Sequence, residues 1–548
     1  MKSDESVPAW LVAAALLLPL LVLSSPLIEI DDARYAEVPR AMAASGDWVL
    51  PTLDGMPYVE KPPLWYWLGA ASIKAFGPTE AAARLPLLLL SVLGGLGVWW
   101  LGSWLYSASV GRAAAAATAT TGLWLFLAHN ATLDLPVSVF LLWTTALILR
   151  VLEKPADARW AAPAAWLAAA LAFLTKGLIS VLFPALWVCG LVVLFPKWRR
   201  PALKLLSPAG IALACAVAAP WFFAVQARRP DFFHVFFVEQ HFQRFLTPKY
   251  GRGQPFWFYL AVVPAGLLPW TAPFLSGFAR TARRPFADPR ATALAAWIVG
   301  VAAFFTTSHS KLATYALPVI PHASLLAARA LEEGFSRRSV LACRVIGVVL
   351  LAASVVAATL PFRLPYLNLP PLGPEAVPVV LPTLLGFAAA FLLVLAAIHL
   401  HAPSSAAPAR ALAVGAVVGG ALALGAVRAA SPLVSAKELG LAVRDSLRDG
   451  DEVWTYQSYL QGLPFYAGHR VDKLVYFVGE FHYAKREALY ADRFGDDSSV
   501  ASLPRAGGRT FVAMRSKERA VFETLPRKGS ISGWREFGPW SLAEIAAR

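Results

Sequence analysis

The stretch that decides the fold runs from Val7 to Arg40. It is apolar from Val7 to about Leu27. It then turns polar as Asp31-Asp32-Ala33-Arg34-Tyr35-Ala36-Glu37-Val38-Pro39-Arg40. An apolar run of about 20 residues is long enough to cross a hydrocarbon core as a helix. No small-residue cleavage site follows in the right place, so the run reads as a retained first helix rather than a signal peptide. Two acids next to it suit the positive end of a helix dipole. They equally suit a site that orients a substrate or coordinates a metal at the membrane border.

Working outward, the same apolar texture recurs. The chain has 548 residues, 57% hydrophobic and 15% charged, against about 25% charged in soluble proteins. Apolar blocks predict thirteen membrane spans: 8–28, 84–106, 111–129, 133–152, 160–175, 178–196, 204–226, 256–277, 290–308, 312–331, 339–361, 376–401 and 409–430. The short connections at 150–154, 197–200, 280–284 and 337–338 are basic, which marks them as cytoplasmic. The N-terminus is then inside. The loops 29–83 and 227–255 and everything after about 432 lie outside. The Pro-rich stretch 361–375 reads as an ordinary connecting loop. The net charge of +15 is assigned to cytoplasmic loops and anionic lipid. No basic, aromatic-interleaved soluble domain is present, which argues against a nucleic-acid partner. Cys189, Cys215 and Cys343 lack paired spacing and read as small apolar packing residues, not a disulfide or metal framework.

The tail is of another kind. Lys437 to Leu447 is amphipathic, Asp449-Gly450-Asp451 is a turn signal, and 452–456 and 510–514 read as strands. This divides the chain into a membrane domain, 1–431, and a small external α/β domain, 432–548.

The polar motifs gather on the external side. Glu60-Lys61-Pro62-Pro63 places a lysine in a proline-stiffened border segment, suited to a lipid phosphate or to snorkelling. Asn130-Ala131-Thr132-Leu133-Asp134 offers an acid that is a helix cap, a site residue, or both. Thr175-Lys176-Gly177 interrupts two apolar spans. Glu239-Gln240-His241-Phe242-Gln243-Arg244-Phe245 combines a metal-capable histidine with a phosphate-capable arginine. Ser308-His309-Ser310-Lys311 precedes Tyr315. Lys61, Lys176, Arg244 and Lys311 are cations where the positive-inside rule expects few. With Asp31 and Asp134 they point to a site for an anionic, phosphate-bearing lipid. No P-loop or Rossmann fingerprint occurs, so no nucleotide cofactor is expected.

These motifs, with Gly46-Asp47-Trp48, Tyr58, Phe173-Leu174 and Leu312-Ala313-Thr314, resemble the aminoarabinose transferase (ArnT) family and its protein O-mannosyltransferase relatives. The resemblance covers about residues 8–330. It implies an α-helical polytopic membrane protein of the GT-C glycosyltransferase fold, with about thirteen transmembrane helices and a periplasmic C-terminal α/β domain. It implies a bacterial inner-membrane enzyme, expected to be a monomer. Such an enzyme moves 4-amino-4-deoxy-L-arabinose from undecaprenyl phosphate to a lipid A phosphate, with inversion. The other acceptors open to it are protein Ser/Thr or another envelope glycan; a lipid-linked-sugar transporter is the reading from a different class. By the resemblance Asp31 and Asp134 are the catalytic-site acids, and Glu60 and His241 match positions that can hold a divalent metal. Arg34, Tyr35, Tyr58, Lys61 and Tyr315 match positions around the carrier phosphate, to which Lys176, Arg244 and Lys311 are added as external cations. Two departures stand out. Asp31-Asp32 replaces the usual Asp-Glu, and Gln240 separates Glu239 from His241.

Overall fold

A computed structural model describes residues 7–247, 252–334, 341, 345, 407–504 and 508–547. Among the described residues, six helices are long and apolar enough to cross a membrane: Glu80–Leu105, Asp134–Glu153, Pro155–Lys176, Pro208–Arg228, Pro289–Thr307 and Ala409–Val434. Ala9–Val22 and Ile179–Leu194 are shorter apolar helices. The expected spans 339–361 and 376–401, the 361–375 loop and Cys343 lie outside the described residues.

Four expected spans are broken rather than continuous. The block 8–28 is α-helical over Ala9–Leu17, turns 3-10 over Leu18–Val22 and ends there. The block 111–129 divides into Ala108–Thr120 and Gly122–Leu127, with Thr121 extended between them. The block 256–277 divides into Phe258–Gly266 and Thr271–Arg283. The block 312–331 begins as a 3-10 turn, Ala313–Val319, and becomes α-helical only at Ile320. Pro269, Pro318 and Pro321 lie at the last two breaks, where proline supplies no N–H to the helical ladder. Hydropathy averaged over a window does not register such interruptions, because the residues flanking them are mostly apolar. Cys189 and Cys215 are exposed, not packed inside as expected.

The helices have two chemically different ends. At one end of the Asp134–Glu153 and Ala158–Lys176 pair, Asp134 meets Lys176. At the other, Arg150 Nε bonds Asp157 Oδ2 at 2.6 Å. A 20-residue helix separates these ends by about 30 Å. The second end also gathers Lys197 and Arg290 around Glu153, at 3.5 and 2.7 Å.

The segment 29–83 is not an open loop. It folds into the helices Asp31–Ser45 and Leu64–Phe76, joined through a small hairpin, β1 (Thr52–Leu53) with β2 (Met56–Pro57). Gly46, at φ +71, closes the first helix in the left-handed cap that glycine adopts without penalty. These helices escaped a hydropathy reading because the first buries acids as well as apolar groups: Asp32 and Glu37 are buried beside Tyr35, Val38 and Met42. Arg84 and Arg40 pair the two acids.

The C-terminal unit is α/β, as read from the tail. Its six strands are β3 (Glu452–Tyr456), β4 (Lys473–Val475), β5 (Phe494–Gly495), β6 (Thr510–Arg515), β7 (Ser530–Phe537) and β8 (Trp540–Ala546), in the order β5-β4-β3-β6-β8-β7. The first four are parallel, and β8 and β7 continue antiparallel. β3 and β6 are buried along nearly their whole length, as central parallel strands covered on both faces must be.

This unit is anchored to the 29–83 helices by buried polar contacts. Glu29 accepts the N–H groups of Gln461 and Gly462 at 2.8 and 2.7 Å. Asp54 accepts Val471 N–H at 2.8 Å and pairs with Arg493 at 2.7 Å. Glu80 pairs with Lys437 at 2.6 Å. Burial pushes the Glu29 and Asp54 carboxyls up to about 8.

Candidate active site

The sequence Asp31-Asp32 starts a helix, so its two side chains leave in directions roughly 100° apart. Asp32 is buried. It pairs with Arg84 and accepts the N–H groups of Ala131 and Ile28 at 2.8 and 3.0 Å. Arg84 also donates to the carbonyls of Val22 and Pro26, at 3.3 and 3.1 Å. Together they tie the first apolar helix, the Asp31 helix and the segment leading to Asp134 into one knot. Asp31 is the opposite case. Its side chain is 53% exposed, lines a cavity, and pairs with Arg34 one turn later.

Two cavities meet beside it. One, of about 460 Å³, is polar and is lined by Asp31, Arg34, Tyr35, Tyr58 and Asp134, among others. The second, of about 440 Å³, is walled chiefly by apolar groups such as Ile179, Leu182, Phe242, Phe245 and Phe304. Glu60, Lys61, Lys176, Arg244 and Tyr315 line both.

Each shared residue is held in place. Lys61 Nζ donates to the Glu60 carbonyl at 3.1 Å and lies 3.8 Å from the Glu60 carboxylate. Burial, followed by the nearby Arg244 charge, pushes the Lys61 ammonium down to about 7. Lys176 pairs with Asp134 and sits 4.6 Å from the Tyr315 ring centre. Arg244 donates to Gln240 Oε1 at 3.2 Å and to the Tyr315 hydroxyl at 3.4 Å. Tyr315 rests on Phe305, ring centres 4.9 Å apart. Asp134 is the first residue of its helix rather than the residue before it, and its carboxylate is engaged by Lys176. The cap reading of this residue therefore fails.

Gly177 makes this assembly possible. Its φ is +84, and a Cβ there would stand 2.5 Å from His241 Nε2. Lys176 and the His241 segment approach each other only because this residue has no side chain.

Lys311 is placed elsewhere. Its ammonium donates to the Gln254 carbonyl at 2.8 Å, and it lines neither cavity. It braces the 252–254 segment instead of facing the shared cations.

The expected metal pair meets a poor donor set. Among the described residues, no group of three His, Cys, Asp or Glu side chains is placed to hold an ion. Glu60 and His241 do line one cavity. However, His241 Nδ1 is spent on the Phe236 carbonyl at 2.6 Å, and Nε2 faces the Leu178 N–H at 3.4 Å. Burial and the charges of Lys61 and Arg244 lower the imidazole's affinity for a proton, and they oppose a divalent cation in the same way. Glu239 turns away to accept the Tyr483 hydroxyl at 3.1 Å. Among the described residues, Glu60, Glu239 and His241 do not fit a metal site.

Sequence reasoning missed the C-terminal unit's share of the site. Phe477, Gly479, Glu480 and His482 line the polar cavity, and Glu480 pairs with Arg34. No motif in 476–482 signals this, because the contact joins residues 446 positions apart.

Comparisons with known proteins agree with this architecture. Residues 60–223 match the family model described as dolichyl-phosphate-mannose-protein mannosyltransferase. The chain is 31% identical over 361 residues to an undecaprenyl phosphate-alpha-4-amino-4-deoxy-L-arabinose arabinosyl transferase of Yersinia enterocolitica, covering 65% of this chain and 64% of that one. It is 34% identical to the protein of the same name from Pectobacterium carotovorum, covering 60% and 59%. These alignments span less than two thirds of the relatives' length. The structure of ArnT from Cupriavidus metallidurans bound to undecaprenyl phosphate superposes with a TM-score of 0.84 at 25% identity, over 98% of this chain and 97% of that one. The Archaeoglobus fulgidus oligosaccharyltransferase AglB shares the fold alone, at a TM-score of 0.52 and 10% identity, over 94% of this chain and 71% of that one. The chain is thus a mainly helical, multi-pass membrane protein of GT-C-like fold with a C-terminal α/β sheet.

Proposed function

We propose that this chain, related in sequence and fold to the aminoarabinose transferases, moves 4-amino-4-deoxy-L-arabinose from undecaprenyl phosphate to a lipid A phosphate with inversion. The reading places the reaction at the periplasmic face of a bacterial inner membrane crossed thirteen times. The observation that carries it is the meeting of an apolar and a polar cavity at Lys61, Lys176 and Arg244. Such a junction suits a molecule with an isoprenoid tail, a phosphate and a sugar in that order. The tail's first units take the apolar side, the phosphate the cations, and the sugar the polar side near Asp31 and Asp134.

The chemistry follows from that placement. An acceptor phosphate oxygen attacks the anomeric carbon from the face opposite the carrier. The bond from that carbon to the carrier phosphate breaks, and undecaprenyl phosphate leaves with the electron pair. Lys61 and Arg244 offset its growing charge as cations already held in place. Lys176 is shared between Asp134 and the leaving group. Asp31, fixed by Arg34, faces the positive charge that develops on the sugar. A phosphate acceptor is already an anion and needs no strong base. A Ser or Thr hydroxyl acceptor, the alternative favoured by the mannosyltransferase family match, would need Asp31 to take its proton.

The test is reconstitution with undecaprenyl-phospho-aminoarabinose and lipid A, read by mass spectrometry. The expected result is a pentosamine increment on lipid A that disappears in Asp31→Asn and persists in Asp449→Asn. Transfer to a Ser/Thr peptide, with none to lipid A, would overturn the acceptor assignment.

A further inference from the structure

We infer that Glu480, in the C-terminal α/β unit, is a specificity residue that selects a sugar bearing a cationic amine. The inference rests on the reaction proposed above and names the group that reads its donor.

Three observations converge. First, the segment after β4 carries Glu480 into the polar cavity beside Asp31. Loops beyond the carboxyl ends of parallel strands are where α/β sheets meet their ligands. Second, Glu480 shares its cation: Lys176 pairs with Asp134 alone, whereas Arg34 pairs with both Asp31 and Glu480. Third, Glu480 uses one oxygen only. Oε1 accepts from Arg34 and, at 3.1 Å, from Gln461 Nε2, whereas Oε2 is buried without a hydrogen-bond partner among the described residues. A buried carboxylate oxygen left bare is costly. A substrate ammonium reaching it removes that cost.

Glu480 therefore does two things. It joins the α/β unit to the Asp31 helix through Arg34, and it keeps one buried oxygen without a partner among the described residues at the cavity wall. A 4-hydroxyl in place of the amine gives a hydrogen bond but no compensating charge.

The experiment compares two undecaprenyl-phosphate donors, a 4-amino-4-deoxy pentose and its 4-hydroxy counterpart, on full-length wild type and Glu480→Gln. The variant is expected to lose about 10- to 100-fold in kcat/KM for the amino donor, the range of one charge-assisted hydrogen bond. Its loss with the hydroxy donor should be markedly smaller, because that donor forgoes only a neutral hydrogen bond. Glu480→Asp, which keeps the charge, should retain the preference. Equal losses with both donors would reduce Glu480 to a docking contact and overturn the inference, as would no loss with either. If Glu480→Gln does not fold, wild-type selectivity decides, and equal use of both donors overturns the inference. Wild type inactive with both donors overturns the proposed reaction itself.

Discussion

Lys61 binds a phosphate only while it carries its proton, and its surroundings make that proton easy to lose. Burial and the Arg244 charge bring its ammonium down to about 7, from an ordinary 10.5. A bound phosphate anion restores the charge, so binding is linked to protonation. The sign follows directly. Below about pH 7 the free enzyme already holds the proton and affinity is flat. Above it, each pH unit weakens binding about tenfold, or about 1.4 kcal/mol. At pH 9 the loss is about 100-fold. The ligand should be a polyprenyl phosphodiester carrying a neutral sugar, whose single charge does not change between pH 6 and 9. Calorimetric titration in lipid nanodiscs gives Kd across that range. Lys61→Arg, which stays charged throughout, should flatten the profile. Glu29 and Asp54 also titrate near 8, but both remain in the arginine variant and so are controlled for. A flat wild-type profile, or an equally steep one in Lys61→Arg, would refute the reasoning.

Other outcomes follow from the same structure. Asp31→Asn should fold normally and lose transfer by at least about 100-fold, whereas Asp32→Asn should unfold more readily, since breaking a buried pair costs about 3–5 kcal/mol; thermal melting with the transfer assay separates the two. Glu29 and Asp54 have carboxyls raised to about 8, so the fold holds protons that the unfolded chain releases. Their contribution to stability is full below the ordinary carboxyl range and is lost as pH rises toward 8 and beyond. Melting temperature should fall between pH 5 and 9, and Glu29→Gln with Asp54→Asn should flatten that fall. Gly177→Ala should cost about 1–3 kcal/mol in backbone strain and displace His241, seen as lower melting temperature and a raised KM for the donor.

Much of this was written in the chain order. Runs of Leu, Ala and Val long enough to span a bilayer mark helices wherever they lie, because lipid leaves the backbone no other way to satisfy its hydrogen bonds. Proline-stiffened Lys61, the Thr175-Lys176-Gly177 break and the Arg244 segment stood out as candidate site cations, and all three cations line both cavities. The strand-like runs 452–456 and 510–514 announced the sheet.

What the sequence could not decide were contacts between distant segments. Asp31 and Asp32 are identical in type and adjacent; only the helix that starts there sends one to the cavity and the other to Arg84. Lys311 looked equivalent to Lys61 and Lys176 until the fold turned it onto Gln254. The entire 29–83 segment read as a loop because its buried acids resemble exposed ones until Arg84, Arg40 and Arg493 are brought against them. Glu480 had no local signal at all. Hydropathy and spacing are properties of neighbours along the chain. Which charges neutralise each other is a property of neighbours in space, and that is what placed the C-terminal unit over the site.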